Sequence, residues 1–149
     1  MLRLGRPARG NKVLEYEEGK AQQALPPDVE LCARQLVDAG LKVHRALGPG
    51  LLESAYEHCL AHELNLRGLA VRRQVVLPIN YDGLLLDAGY RLDLLVEDSI
   101  VVEIKAVDLL TRLHEAQVLT YLKLSKRRLG FLMNFNVMLF KQGLKRLVF

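Results

Sequence analysis

Several features that would assign a chemistry directly are missing from this chain of 149 residues. Its two cysteines, Cys32 and Cys59, lie far apart and form no CxxC pair. No apolar run approaches the roughly 20 residues that cross a bilayer, and no secretory apolar segment is found at the start. Neither GxSxG nor a glycine-rich phosphate loop occurs, which excludes the common serine hydrolase and P-loop patterns. We therefore expect a reduced, cytoplasmic protein with no membrane partner.

The bulk composition is that of a globular protein with a mild positive charge. Half of the residues are hydrophobic, and 21 Lys and Arg against 17 Asp and Glu give a formal net charge of +4. This excess is compatible with a polyanionic partner but is not evidence for one. Residues 1–26 lack a sustained period and mix basic with acidic side chains, so we expect a flexible N-terminal arm there and one domain over residues 27–149.

Hydrophobic periodicity predicts the element order α-α-β-β-β-α-β-β. Two helical patterns, Asp28 to Leu47 and Leu52 to Gly68, are separated by a Gly-Pro-Gly break, with Asp28 as a plausible N-cap. Pro78 near the end of the first strand pattern favours an edge position. The later elements are strands at Val71–Leu77, Leu84–Val96 and Ile100–Val107, a helix from the N-cap Thr111 to Gly130, and strands at Phe131–Val137 and Leu144–Phe149.

Three charged residues lie in the most apolar stretch of the chain, residues 92–107. Every second residue from Leu92 to Val96, and again from Ile100 to Ile104, is aliphatic, which is typical of an antiparallel pair with one face in the core. Keeping the aliphatic faces together requires an odd-length loop, most simply residues 97–99. That register predicts that Asp93 lies opposite Glu103 on the other face, with Lys105 two residues further along.

Facing carboxylates repel each other, so a sheet would not pair Asp93 with Glu103 for stability alone. A divalent cation removes the conflict, because Mg²⁺ binds through one or two carboxylates and keeps waters for chemistry. The ammonium of Lys105 can hold a metal-bound hydroxide or stabilise charge on phosphorus. The alternative is that these are solvated side chains on the polar face of an ordinary hairpin.

Two helices carry further candidate residues. Glu53 lies at the start of the second helix, where backbone N–H groups favour a carboxylate, and simple helix capping would also explain it. On the third helix, His114, Gln117 and Tyr121 share one face. Such a polar stripe usually faces solvent.

Taken together, these segments resemble the GxxExxY proteins, a group placed in the PD-(D/E)XK nuclease superfamily. The resemblance covers roughly residues 28–149, and it implies a restriction-endonuclease-like α/β fold with a central mixed β-sheet flanked by α-helices. Leu92 departs from the superfamily motif, which has proline before the aspartate. The matching residues are Gly50, Glu53 and Tyr56, then Arg91 and Asp93, then Glu103 and Lys105, then Gln117 with Tyr121.

The same resemblance implies a role for each residue. Asp93 and Glu103 would hold Mg²⁺ or Mn²⁺, with Glu53 as a further carboxylate of the metal shell, and Lys105 would orient or activate the attacking water. Gln117 and Tyr121 match a helix motif of one branch, where they support the site or contact substrate. The implied function is metal-dependent hydrolysis of phosphodiester bonds in nucleic acid, with DNA favoured over RNA.

Two alternatives stay open from the sequence. One is a catalytically inactive nucleic-acid-binding module, and the other is a protein-interaction module whose acidic cluster is structural. The sequence also leaves open a homo-oligomer. The candidate phosphate contacts are Arg72, Arg73, Arg91 and Arg112.

Overall fold

A computed structural model describes residues 24–149. The predicted arm, residues 1–26, lies almost wholly outside the described residues, so the arm and the domain boundary stay predictions. Two helices come first, α1 over Pro27–Leu47 and α2 over Glu53–Leu66. The prediction that Asp28 caps α1 was wrong, because Pro26 holds the cap position and Asp28 lies in the first turn. Its negative charge there still suits the helix N-terminus.

The described chain continues through short strands and a third helix. A short 3₁₀ helix, Phe140–Gly143, joins the last two strands. The elements are β1 (Val71–Val76), β2 (Ile79–Tyr81), β3 (Leu84–Leu86), β4 (Arg91–Val96), β5 (Ile100–Lys105), α3 (Arg112–Ser125), β6 (Leu129–Asn134) and β7 (Leu144–Val148).

Five of these strands form a mixed sheet in the order β1-β4-β5-β6-β7, and β2 pairs with β3 in a separate sheet. Strands β5 and β6 run parallel, connected through α3, and the other neighbours are antiparallel. Strand β1 lies at the edge, as Pro78 predicted. The predicted restriction-endonuclease-like α/β architecture is confirmed. Within residues 24–149, no helix has the length and apolarity that a bilayer crossing requires.

Helices cover both faces of the central sheet. On one face α1 and α2 pack over a core that includes Leu36, Leu60 and Val102. On the other face Leu95 and Val101 are buried beneath α3. The expectation that the β4–β5 pair has one core face and one polar face was therefore wrong over its middle. Both sides of these strands are interior, as is usual for strands covered by helices.

The predicted strand Leu84–Val96 is two strands that belong to different sheets. The chain turns between them at Gly89, which has φ +82°, a conformation that glycine adopts without strain. The side chain of Asp87 accepts a hydrogen bond from the Gly89 N–H at 3.0 Å and fixes the turn. The order of elements therefore contains five strands between α2 and α3 in place of the predicted three.

The alternation of side chains along β4 is interrupted between Leu92 and Leu94. Leu92 packs in the cluster under α3, whereas Leu94 packs under α1 and α2, so the prediction that both share one face was wrong. Gln74, which lies opposite Asp93 on β1, has φ +51°. The side chain of Asp93 also accepts the backbone N–H of Ile104. Both features distort the regular pleat at the position of the aspartate.

Gly130 lies inside β6 and does not end the preceding helix, contrary to prediction. The N-cap Thr111 is confirmed, but α3 ends at Ser125, and Lys126 takes the left-handed conformation at φ +57°. A Cβ atom at Gly130 would lie 2.9 Å from Cγ1 of Val118. The glycine therefore allows α3 to lie close against the sheet.

Candidate functional site on strands β4 and β5

The acidic pair predicted from strand parity lies side by side on β4 and β5. The register pairs Leu94 with Val102, and the next position along sets Asp93 opposite Glu103. Glu103 Oε1 accepts the backbone N–H of Asp93 at 3.3 Å, and Asp93 Oδ2 accepts the backbone N–H of Ile104 at 2.8 Å. Each carboxylate is therefore braced by the main chain of the neighbouring strand.

The two carboxylates lie in a poorly solvated position. Glu103 is only 4% exposed, and burial together with the charge of Asp93 raises the pKa of Glu103 to about 8. Burial also raises the pKa of Asp93, with a smaller contribution from the charge of Glu57. The charge of Lys105 lowers both pKa values without cancelling these effects. An acid pair with raised pKa values is a position where a cation is favoured.

Glu53 reaches the same region from α2. Its Oε1 accepts the backbone N–H of Ala106 at 3.3 Å, just beyond the end of β5, so the side chain links α2 to the sheet. Glu53 and Asp93 both line an open cavity of about 570 Å³, in which Leu51 and Leu52 form an apolar wall. Glu103 and Lys105 do not line this cavity.

Tyr56 fixes the turn that leads into Glu53. The Tyr56 side chain is fully buried, its hydroxyl donates to the carbonyl oxygen of Gly48 at 2.6 Å, and it accepts the N–H of Leu51 at 3.1 Å. Gly50, with φ +99°, lies within the same turn. The glycine and the tyrosine of the sequence pattern therefore shape the turn, and the glutamate between them reaches the sheet.

Two of the predicted residues, Gln117 and Tyr121, lie on α3, which covers the other face of the sheet. Gln117 Nε2 donates to the Tyr121 hydroxyl at 3.0 Å, and Tyr121 is buried in the cluster under α3. Burial, and then the charge of Glu103, raise the pKa of Tyr121. The structure therefore places Glu53 on the cavity side, where Asp93 also lies, and Gln117 and Tyr121 on the α3 side.

Glu57 and Gln74 belong to the site but were not among the predicted residues. Glu57 lies one turn after Glu53, is buried, and lines the same cavity. It accepts a hydrogen bond from Arg73 at 2.7 Å and another from the Gln74 amide, which also donates to Asp93 Oδ1 at 3.4 Å. The i, i+4 spacing from Glu53 could have indicated Glu57. No sequence pattern indicates Gln74.

A model of the PD-(D/E)XK nuclease superfamily matches residues 30–147. The chain belongs to this superfamily. Comparison with curated proteins and comparison with solved structures each give no match. The superfamily predicted from the motifs is confirmed, and the narrower GxxExxY group stays a resemblance. Membership of a nuclease superfamily makes nucleic acid the expected class of substrate.

The donor chemistry of this PD-(D/E)XK site fits a divalent cation. Carboxylate oxygens are the ligands that Mg²⁺ prefers, and one or two of them suffice when water completes the shell. The buried Glu103 and the half-buried Asp93 supply two adjacent carboxyl groups, and burial raises the pKa of both. Among the described residues, no three His, Cys, Asp or Glu side chains form a ready-made metal site. The shell of three carboxylates that includes Glu53 is therefore not preassembled, and it stays a prediction.

Most of the candidate phosphate contacts are engaged within the protein. An arginine in an ion pair must leave its partner before it can bind a phosphate, which reduces its net contribution to binding. Arg72, Arg73 and Arg91 pair with Asp98, Glu57 and Asp87 at 2.9, 2.7 and 3.4 Å, respectively.

Proposed function

We propose that this protein is a metal-dependent nuclease that hydrolyses phosphodiester bonds of nucleic acid, DNA in preference to RNA. Asp93 and Glu103 are the proposed ligands of Mg²⁺ or Mn²⁺. The observation that supports the proposal is the pairing of a buried Glu103 with a half-buried Asp93, each braced by a backbone N–H group, with Lys105 at the end of the same strand as Glu103. Superfamily membership supports nuclease chemistry, and the choice of metal and of DNA rests on the resemblance.

Phosphodiester hydrolysis requires an activated water, neutralised charge on the phosphorane oxygens and a stabilised leaving alkoxide. A divalent cation bound at Asp93 and Glu103 would act as a Lewis acid for these needs. Lys105 supplies a fixed positive charge beside the pair, which can orient a water or stabilise phosphorane charge. Glu53 presents a hydrogen-bond acceptor at the cavity wall. On the other face, Gln117 donates to the Tyr121 hydroxyl and thereby fixes the orientation of the phenol.

Near-isosteric substitutions test this assignment. Asp93→Asn, Glu103→Gln and Lys105→Met each remove one charge while keeping the size of the side chain. The full chain and each variant would be assayed on single-stranded DNA, duplex DNA and RNA with Mg²⁺, with Mn²⁺ and with EDTA. We expect cleavage only with a divalent cation, and a loss of at least about 100-fold in rate for each variant, because each removes charge stabilisation at the reacting phosphate. Circular dichroism should show an unchanged fold.

A matched control removes a carboxylate far from the cavity. Glu30 pairs with Arg146 at 2.6 Å on another part of the surface, and we expect Glu30→Gln to cleave at the wild-type rate. Glu53→Gln should weaken the affinity for Mg²⁺ and reduce the rate less than the other variants. Metal-dependent cleavage that survives in Asp93→Asn, Glu103→Gln and Lys105→Met would contradict the assignment of the site.

One observation favours a second function, that of a nucleic-acid-binding module without catalysis. Glu103 is almost fully buried and does not line the cavity. Under this alternative, the protein binds oligonucleotides but does not cut them with any divalent cation. The affinity measured by fluorescence anisotropy should then fall steeply between about 50 and 200 mM salt, because phosphate contacts release counterions.

A further inference from the structure

Large apolar side chains lie exposed on the hairpin formed by β2 and β3. Its register pairs Ile79 with Leu86 and Tyr81 with Leu84. Residues directly paired across strands lie on the same face, so these four apolar side chains form one face, which we call the hairpin face. Tyr81, Leu84 and Leu86 on it are 75%, 60% and 45% exposed.

Nothing in the described residues makes this hairpin part of the central sheet. A two-stranded hairpin with three-residue strands is marginally stable by itself in water, and a contiguous exposed apolar patch marks an interaction surface. Val76 and Tyr90 add exposed apolar area at the base of the hairpin, at 49% and 44% exposure. There the Leu77 N–H donates to the Tyr90 carbonyl oxygen at 3.0 Å and closes the loop.

The charge of this segment argues against nucleic acid as its partner. Residues 74–90 contain no lysine or arginine, and their only charged side chains are those of Asp82 and Asp87. A phosphate backbone would be repelled by these acids and would gain no counterion release. The segment therefore fits an apolar partner, and a second copy of the chain supplies an identical apolar face.

We propose that two copies of this chain associate by packing their hairpin faces against each other across a twofold axis. An isologous contact needs a self-complementary patch. The apolar face of Ile79, Tyr81, Leu84 and Leu86 meets that need, because apolar side chains can pack against an identical set. The exposed area of the hairpin face is roughly 400 Å² per copy, and with Val76 and Tyr90 it exceeds roughly 500 Å². Two copies would therefore bury about 1,000 Å² in total, which is near the lower limit of a specific interface. We therefore expect a reversible dimer that dissociates on dilution.

Sedimentation velocity of the full chain over a wide range of concentrations tests the proposal. The measurement uses neither nucleic acid nor divalent cations, so its outcome is independent of the proposed nuclease function. The wild type should shift from monomer to dimer as the concentration rises. The double variant Leu84→Asp with Leu86→Asp should stay monomeric throughout, because two carboxylates per copy would be buried opposite their own copies. Both leucines are exposed, so circular dichroism should show an unchanged fold.

Leu85→Asp is the matched control, because Leu85 pairs with Asn80 on the opposite face of the same hairpin and is 70% exposed. We expect this variant to dimerise like the wild type. The proposal is overturned if the wild type is monomeric at every concentration or if the double variant still forms the dimer. It is also overturned if Leu85→Asp weakens dimerisation as much as the double variant does. A monomeric wild type whose oligonucleotide affinity falls in the double variant would assign the hairpin face to nucleic acid.

Discussion

At the scale of single residues, Tyr56 connects the core to the position of Glu53. Its ring stacks on Phe135 with centroids 4.6 Å apart, and its hydroxyl bonds to Gly48 and Leu51 in the turn before α2. The turn is therefore tied to a fully buried aromatic pair. The position of Glu53 at the start of α2 therefore depends on the hydrogen bonds of Tyr56 to this turn.

We predict that Tyr56→Phe lowers the free energy of unfolding by about 1–2 kcal/mol, because the substitution leaves the Gly48 carbonyl and the Leu51 N–H without their hydroxyl partner. If Glu53 serves the proposed site, the affinity for Mg²⁺ should fall as well. Urea denaturation and titration calorimetry measure the two effects.

Tyr81→Phe removes a hydroxyl from a tyrosine that is 75% exposed, and we expect it to leave the unfolding free energy unchanged. A Tyr56→Phe variant as stable as this control would show that the turn does not depend on the hydroxyl.

The acid pair could be predicted from the sequence because strand parity needs only a period of two. With the loop length, parity sets Asp93 opposite Glu103, and the structure keeps that register. The contact of Gln74 with Asp93 could not be predicted in this way. It depends on the left-handed backbone conformation of Gln74. Residues other than glycine rarely adopt this conformation, and no local sequence pattern predicts it here.

At the scale of elements, the close packing of α3 on the sheet depends on Gly130. Val118 and Leu122 of α3 lie over this glycine, and a Cβ there would meet Val118 Cγ1 at 2.9 Å. The helix also carries Gln117 and Tyr121, so its distance from the sheet sets how closely the phenol approaches Glu103. A larger residue at position 130 of β6 would therefore displace α3 and, with it, the Gln117 and Tyr121 side chains.

We predict that Gly130→Ala destabilises the protein by about 1–3 kcal/mol, because the added methyl overpacks the contact with Val118. Thermal unfolding measures the loss. The second substitution Val118→Ala should recover part of it in the double variant, since it removes the atom that clashes. Losses that simply add in the double variant would contradict a steric origin.

Element types were easier to predict than element boundaries. The helices and the strands of the central sheet follow from clear periods, but Leu84–Val96 was predicted as one strand because both of its parts are rich in leucine. The turn at Gly89 separates them, and an isolated glycine in a strand pattern is a weak signal. The prediction that Gly130 ends α3 has a similar origin. Sequence alone does not distinguish a glycine that ends a helix from a glycine that makes room for a closely packed neighbour.

At the scale of the whole molecule, two helical layers enclose a sheet with carboxylates in its interior. The alternation of residues along β4 and β5 predicted a core on one face only. Leu95 and Val101 share their face with the charged residues, so that face was predicted to be polar. Short apolar runs do not distinguish a half-buried strand from a fully buried one. Burial by α3 therefore became evident only in three dimensions. Burial of Glu103, together with the charge of Asp93, raises the pKa of that side chain.

We predict that the metal-free protein loses stability as the pH rises from about 5 to about 8. The pKa of Glu103 is raised to about 8 in the folded state, against an ordinary value near 4.3 in the unfolded chain. Between these values the folded state keeps a proton that the unfolded state has released, so the unfolding free energy falls with pH. The raised pKa of Asp93 acts in the same direction. We expect a total change on the order of 3 kcal/mol in urea denaturation with EDTA.

Glu103→Gln should flatten this profile, and Mg²⁺ should stabilise the wild type more at pH 8 than at pH 6. Asp98→Asn is the matched control, because Arg127 and Arg72 lower the pKa of Asp98 and its titration lies below this range. A wild-type profile that rises between pH 5 and 8 would contradict the burial of an ionisable Glu103.

The parallel pairing of β5 with β6 sets an order of events during translation. The hairpin of β4 and β5 can form once residue 105 has left the ribosome. The other edge of β5 pairs with β6, which follows α3 and ends at Asn134, so that pairing forms later. Until then the backbone groups along that edge have no partner strand. A nascent chain that stalls earlier carries the acidic residues without their enclosure. The proposed site is therefore not enclosed on both sides of β5 until β6 has been synthesised.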